Sequence, residues 1–255
     1  MRWVARLPEK RANVSPGRTW VELVQLVVGG AAAIALLLSI AGLAIDALVA
    51  RISPERERAL FGFLRAQVTC EAAEDRDRCD RLQRVFARLG TVSPAPVLGV
   101  HPADEVNAFA LPGAAILVTR GLLDAADDDE LAFVLAHEVA HLEHRDSLRA
   151  LGRVVASGVA LSLLGVESSG ALELSQVTSR LALARHSRGR EEAADAAAVD
   201  RLLDRGLPGS AALRLLERLE VEEKRGSPVL AWPATHPLSE RRLAAVRQAI
   251  ERSPR

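Results

Sequence analysis

A chain of 255 residues is long enough to bury a real core, as one large domain or two modest ones. Its 33 basic and 33 acidic side chains cancel, so nothing in the charge balance points to nucleic acid. Only Lys10 and Lys224 among the basic residues are lysine, and most of the arginines read as solvated faces.

The first element is apolar. Leu23 to Ile45 is a run of 23 residues without a charge, interrupted only by Gln25 and Ser39 as clearly polar side chains. As a helix it extends about 34 Å, enough to cross a hydrocarbon core of roughly 30 Å. A cleaved signal peptide or a buried core helix are the competing readings, but signal-peptide apolar regions usually stop at roughly 15 residues. The run is therefore read as a single-pass membrane anchor over residues 23–48, preceded by a basic segment over 1–22. Arg2, Arg6, Lys10, Arg11 and Arg18 lie before it, against Arg51, Arg56, Arg58 and Arg65 after it, which favours a cytoplasmic N-terminus. Cys70 and Cys79 flank a charged loop, and such a pair can close a small disulfide in an oxidising compartment. Both signs favour an extracytoplasmic domain, on the periplasmic side of a bacterial inner membrane.

After the anchor, Ser53-Pro54 reads as an N-cap followed by proline at the first helical position. A second helix is expected over about Cys79 to Leu89, stopped by Gly90. Val97 to His101, Asn107 to Leu111 and Ala115 to Thr119 read as strands, the last two hinged at Pro112-Gly113, and predict a small antiparallel sheet. Asp127, Asp128 and Asp129 then open a helix of roughly Asp129 to Asp146, with Leu131, Val134, Leu135, Val139 and Leu142 as its apolar pattern.

That helix carries His137-Glu138-Val139-Ala140-His141. Histidines four residues apart lie on one helix face, where both imidazoles reach one metal ion. Glu138 sits about 100° round the helix from His137, placed for a general base and not for a ligand. An amphipathic helix that carries two histidines by chance is the bland alternative. With six histidines in the chain, two at this spacing around a glutamate argue against it.

Val154 to Val166 is a further apolar run, short for a span, expected as a buried helix or one lying against the membrane surface. Helices follow over Arg190 to Arg205, closed by Gly206, over Ser210 to Lys224, and over Pro237 to Glu251. A catalytic zinc takes three protein ligands, so a third must come from another element. Glu191 and Asp195 share a helix face, which suits Glu191 as the ligand and Asp195 as the acceptor of a ligating histidine's second ring N–H, with His137 the expected partner. Glu192, Glu143 and His144 compete. The last two extend the same helix as the histidine pair, and three ligands from one straight helix do not readily enclose a tetrahedral ion.

Taken together, Asn107-Ala108-Phe109 with Pro112-Gly113, the helix from Glu130-Leu131-Ala132 to His141, Ser187-Arg188 leading to Glu191 and Asp195, and Thr235-His236-Pro237 with Arg242 resemble the HtpX-type membrane-associated zinc metallopeptidases. That family also includes the CAAX prenyl proteases of eukaryotes. The resemblance covers about residues 80–252. It implies an α+β, mainly helical architecture, a zincin-like metallopeptidase domain over 53–252 behind the transmembrane helix. It also implies one Zn2+ per chain on His137, His141 and Glu191, with Glu138 as catalytic base. The family places the Thr-His-Pro loop near the cleft, which makes His236 and Arg242 candidates for stabilising the transition state, and His236 a candidate cap on the resting metal. Many relatives carry Arg-His where this chain has Arg145-Asp146, and the HtpX proteins have several spans where this chain has one.

The expected activity is metal-assisted hydrolysis of peptide bonds in unfolded or misassembled envelope proteins. The substrate is expected as an extended chain against the strand residues Ala114, Ala115, Ile116, Leu117 and Val118. The expected partners are a polypeptide substrate and the membrane, with no nucleic acid. A membrane-tethered, zinc-containing chaperone or assembly factor is the alternative from another class, and the intact Glu138 argues against it.

Overall fold

The computed structural model describes residues 19–70, 72–163, 187–226 and 231–252. The basic residues before Arg18 and Arg18 itself, Glu71, and the end of the apolar run at 164–166 lie outside the described residues. The chain divides into two compact units, Met1–Ala44 and Ile45–Arg255.

The first unit contributes one continuous helix. Helix α1, Thr19–Arg51, begins in this unit and ends in the second; Leu26, Leu36, Leu37 and Leu43 are exposed, while Val49 near its end is buried. Among the described residues it is the helix long and apolar enough to cross a membrane, with a mean hydropathy of 2.4 over its best window and none of that window buried.

The second unit starts with α2, Pro54–Leu60, where the Ser53 hydroxyl accepts from the Arg56 N–H and proline occupies the first turn. Helix α3, Gly62–Arg65, and a 3-10 turn at Ala73–Asp75 lead into α4, Arg76–Ala87. Cys70 and Cys79 are joined by a disulfide that ties the approach to α4 onto its first turn.

Three strands follow: β1 Val97–His101, β2 Ala108–Leu111 and β3 Ala115–Thr119. The β2–β3 hairpin is antiparallel, Ala108 opposite Val118 and Leu111 opposite Ala115. Strand β1 joins the other side of β3 in parallel, Val97 opposite Ala115 and His101 opposite Thr119. The sheet is therefore mixed, in the order β1-β3-β2, where the sequence reading expected antiparallel pairs only. Side-chain alternation distributes the strands over two cores. Leu98, Ala108, Ile116 and Val118 join the main core, while Phe109, Leu111, Ala115 and Leu117 pack with Leu64, Val68 and Ala150. Gly99 permits the close approach of the 68–69 segment to β1, because a Cβ there would sit 2.7 Å from Val68 Cγ1 and 3.0 Å from the Thr69 carbonyl.

Helix α5, Arg120–Ala125, precedes α6, Asp128–Glu143. Asp127 Oδ1 accepts from the Asp129 and Glu130 N–H groups at 2.9 and 2.8 Å, and Glu130 Oε2 accepts from the Asp127 N–H at 3.1 Å. This reciprocal cap fixes where α6 starts. Leu131 through Ala140 are all buried, so α6 is the central helix of the unit. It stops at Glu143, earlier than the sequence reading had it, because Arg145 takes a left-handed φ of 55° and Asp146 opens a new helix, α7, Asp146–Leu163. The described start of the second apolar run is not buried: Val155 is exposed and Val154 half-buried. Helices α8, Arg188–Asp204, and α9, Ser210–Lys224, pack on α6. The short α10, Trp232–Thr235, and α11, Glu240–Arg252, complete the unit, α11 against α8 and α9.

Candidate metal centre

Four side chains converge between α6, α8 and the loop after α10. His137 and His141 come from successive turns of α6, Glu191 from the first turn of α8, and His236 from the residue after α10. His137 Nε2 lies 3.0 Å from His141 Nε2 and 3.2 Å from His236 Nδ1. Glu191 offers Oε1 at 3.3 Å from His141 Nε2, and Oε2 at 3.4 Å from His137 Nε2 and 3.1 Å from His236 Nδ1. All four residues are buried.

This donor set suits zinc. Bonds of about 2.0–2.1 Å at tetrahedral angles place neighbouring donor atoms about 3.3–3.4 Å apart. The five separations above run from 3.0 to 3.4 Å. Three imidazoles and one carboxylate are also the nitrogen and oxygen ligands that a borderline-soft ion takes.

The two histidines of α6 are each held from behind. Asp195, one turn after Glu191 on α8, brings Oδ1 to 2.9 Å from His137 Nδ1, although the approach is too bent for a regular hydrogen bond. Asp146 Oδ2 is 2.9 Å from His141 Nδ1. A carboxylate on Nδ1 favours the tautomer with a free Nε2, the atom each ring turns toward the cage. The Asp195 pairing is the one the sequence suggested. The Asp146 pairing escaped it, because a helix continued to residue 146 would carry that side chain away from His141, and only the left-handed turn at Arg145 brings it back.

Arg242, 1% exposed, braces the acidic side of the cage. Its Nε and Nη2 meet Asp195 at 2.6 and 2.8 Å, and its Nη1 reaches Glu191 Oε2 at 3.1 Å and the His236 carbonyl at 3.0 Å. All three guanidinium nitrogens are engaged inside the site. Arg242, offered by the sequence as a transition-state or cleft residue, thus faces the two carboxylates of α8. His236 is positioned by its loop: its N–H donates to the Trp232 carbonyl at 2.7 Å, and the Trp232 N–H to the Val106 carbonyl at 3.1 Å. The Thr235 hydroxyl meets Asn107 Oδ1 at 3.3 Å, which fastens the loop to the start of β2. Trp232, absent from the sequence expectations, sets its ring edge-on to His137 at 5.8 Å. No sequence signal marks it out.

Glu138 lies beside the cage without joining it. Its Oε1 is 3.6 Å from His236 Nε2 and is buried without a hydrogen-bond partner among the described residues. The rival ligands lie elsewhere: Glu143 pairs with Arg201 on the surface and His144 is exposed at the end of α6. Glu192 is half-buried and outside the cluster.

Burial resists charging the centre, and its partners overcome that resistance at most positions. Desolvation opposes ionisation of Glu191, yet His236, His137 and His141 hold its carboxyl far below the usual carboxylate range. Asp195 is likewise desolvated but held low by Arg242. Burial would keep His141 neutral, and Asp146 with Glu191 pushes it up to about 10. His137 is raised against the same desolvation by Asp195 and Glu191. For His236 burial prevails and its pKa is lowered.

The residues expected to meet substrate lie in the middle of the sheet and the turn before it. Strand β3 is central, with β1 on one side and β2 on the other, so the main chain of Ala115 to Val118 is already paired. Ala114 sits in the turn at φ 61°, its carbonyl accepting from Val97 N–H at 3.0 Å and Arg65 Nη1 at 3.0 Å. The edge on the side of α6 is β2, where Ser147 of α7 donates to the Ala110 carbonyl.

Two histidines one turn apart around a glutamate, completed by a carboxylate from a second helix, form the metal-binding core of the His-Glu-x-x-His metallopeptidase class. The chain belongs to Peptidase family M48, whose family model matches residues 72–250. It is similar to the Protease HtpX homolog of Salinibacter ruber, 45% identical over 82 residues, 31% of this chain and 28% of that protein. It is also similar to the Mitochondrial metalloendopeptidase OMA1 of Schizosaccharomyces pombe, 34% identical over 170 residues, 66% of this chain and 50% of that protein. The chain spans half or less of the length of these relatives.

Proposed function

We propose that this chain is a membrane-anchored zinc metalloendopeptidase in which His137, His141 and Glu191 hold the ion. The observation that carries this reading is the set of donor separations of 3.0–3.4 Å with Glu138 immediately beside them. Bound there, zinc supplies a Lewis acid that polarises the scissile carbonyl and makes water nucleophilic near neutral pH. Glu138 takes the proton of the attacking water and returns it to the leaving amine. Asp195 and Asp146 keep the rings of His137 and His141 aimed, and Arg242 keeps Asp195 ionised while it braces Glu191. His236 would offer a bound ion a fourth donor and cap a resting centre, and would then have to withdraw for hydrolysis.

The substrate is a polypeptide. Because Thr119 N–H donates to the Asn107 carbonyl, the main-chain groups of Ala108 and Ala110 face away from β3; the Ala108 N–H is held by Asn107 Oδ1 and the Ala110 carbonyl by Ser147, so an extended substrate would pair through the Ala108 carbonyl and the Ala110 N–H, with little sequence selectivity. That suits unfolded or misassembled envelope proteins as substrates. The bond between Cys70 and Cys79 supports a domain on the oxidising, periplasmic side of a bacterial inner membrane. A reporter fused after Arg255 checks the orientation; alkaline phosphatase activity there is expected, and activity only of a cytoplasmic reporter rejects it.

Zinc content tests the ligand set. Protein purified without a metal-affinity tag is expected to carry one zinc per chain, to lose it in His141→Ala, and to keep it in His236→Ala, because three ligands remain. Zinc binding needs a neutral imidazole, and His141 in the metal-free chain is protonated below about 10. Affinity is therefore expected to rise with pH through the neutral range, with proton release detectable by calorimetry in buffers of different ionisation enthalpy. Affinity independent of pH between 6 and 8, as a rough window for such titrations, rejects His141 as ligand.

A further inference from the structure

The first charged residue after the uncharged run of α1 is Asp46, and it faces three arginines. Its Oδ1 lies 3.2 Å from Arg149 Nε, 3.2 Å from Arg153 Nη2 and 3.7 Å from Arg190 Nη2. Two of these guanidinium groups also face Asp146. Arg190 Nη1 is 2.6 Å from Asp146 Oδ1, and Arg149 Nη1 is 3.8 Å from the same oxygen. Asp146 is buried, and its other oxygen is the one that meets His141 Nδ1 at 2.9 Å. Asp46 and Asp146 are thus bridged twice, and the second of them touches a proposed metal ligand.

Two further contacts hold the same end of α1 to the same stretch of chain. Arg145, immediately before Asp146, donates Nη1 to the Val49 carbonyl at 3.0 Å and to the Ile52 carbonyl, with Nε 3.5 Å from Glu57. On α7, Gly152 lies so close to Ile45 that an added Cβ would stand 2.7 Å from Ile45 Cγ2. An ion-pair bridge, a carbonyl clasp and a side-chain-free contact all fix the last turns of α1 against the segment that presents Asp146.

We infer that Asp46 is a positioning residue for the metal centre. It gathers Arg149 and Arg190, these hold the Asp146 carboxylate, and Asp146 orients the His141 ring so that Nε2 points into the cage. The last turns of the apolar helix, from Ile45 on, lie in the same compact unit as the metal centre and are then part of what shapes it. This rests on the reading of His141 as a zinc ligand given above. A neutral side chain at position 46 leaves three guanidinium groups without their shared counter-ion, and Arg190 and Arg149 relax away from the geometry that clamps Asp146.

The test is zinc affinity of the full-length chain in detergent, by competition with a chromophoric chelator, together with the visible spectrum of the Co2+-substituted protein. Removing a partner that directly backs a metal-bound histidine typically weakens metal binding about 10–100-fold, which is the expectation for Asp146→Ala. Arg190→Met is expected to weaken it about tenfold and Asp46→Asn about three- to tenfold, each with a shifted Co2+ spectrum, since they act one and two contacts further out. Asp46→Glu, which keeps the charge, is expected to recover most of the affinity. Asp46→Asn with Arg190→Met should bind more weakly than Arg190→Met alone but by less than the product of the two single effects, because Arg190 carries one of the two bridges between Asp46 and Asp146 and Arg149 the other. Wild-type affinity and spectrum in Asp46→Asn, beside a wild type that binds zinc, overturn the inference alone. A wild type that binds no zinc overturns it together with the reading on which it rests.

Discussion

Replacing Glu138 with glutamine is expected to lower hydrolysis of an unfolded model polypeptide by at least about a hundredfold and by up to about 10⁴-fold, the span that general acid–base catalysis contributes. Glutamine keeps the shape of the side chain and removes its ability to take a proton. Glu138 is not among the converging donors, so the variant is expected to retain one zinc per chain and a wild-type melting temperature. Loss of activity with zinc intact separates a base from a ligand. It also separates an enzyme from a tethered assembly factor, whose action would survive the substitution. Wild-type cleavage by Glu138→Gln rejects both the assignment and the proposed reaction.

That test follows from residues whose placement was legible in the sequence. Local rules found the ends of β1 and β3, an acidic cap among Asp127, Asp128 and Asp129, and the placing of Asp195 one turn after Glu191, because each is decided within a few residues. The helical period brought His137 and His141 to one face. Long-range decisions were not legible. The order β1-β3-β2 depends on which strand finds the central place, and it leaves the main chain of Ala115 to Val118 paired on both sides. A left-handed Arg145 carries no compositional mark, since glycine or asparagine is the usual residue in that conformation. Without that turn Asp146 does not reach His141. Arg242 was visible as a motif residue, but whether its guanidinium faced a cleft or a carboxylate was a matter of packing.

The packing of Arg242 carries the second large expectation, on stability. Its side chain is fully desolvated, and its charge offsets the buried carboxylate of Asp195 through two short hydrogen bonds and that of Glu191 through a third contact. Breaking a buried ion pair by removing one partner typically costs about 3–5 kcal/mol, because the remaining charge is left unpaired in a low dielectric. For a folded unit of this size, Arg242→Met is therefore expected to lower the melting temperature of the metal-free chain by about 6–20 °C. Zinc held by Glu191 as proposed would offset part of this by neutralising that carboxylate, so the loss is expected to be smaller in the zinc-loaded protein. Arg242→Lys keeps a positive charge but cannot grip Asp195 with two nitrogens in one plane, and an intermediate loss is expected. Arg242→Met combined with Asp195→Asn removes both charges and is expected to be more stable than Arg242→Met alone. If Arg242→Met melts within about 2 °C of wild type, about 0.5–1 kcal/mol at this size, the guanidinium is not what holds the acidic side of the centre.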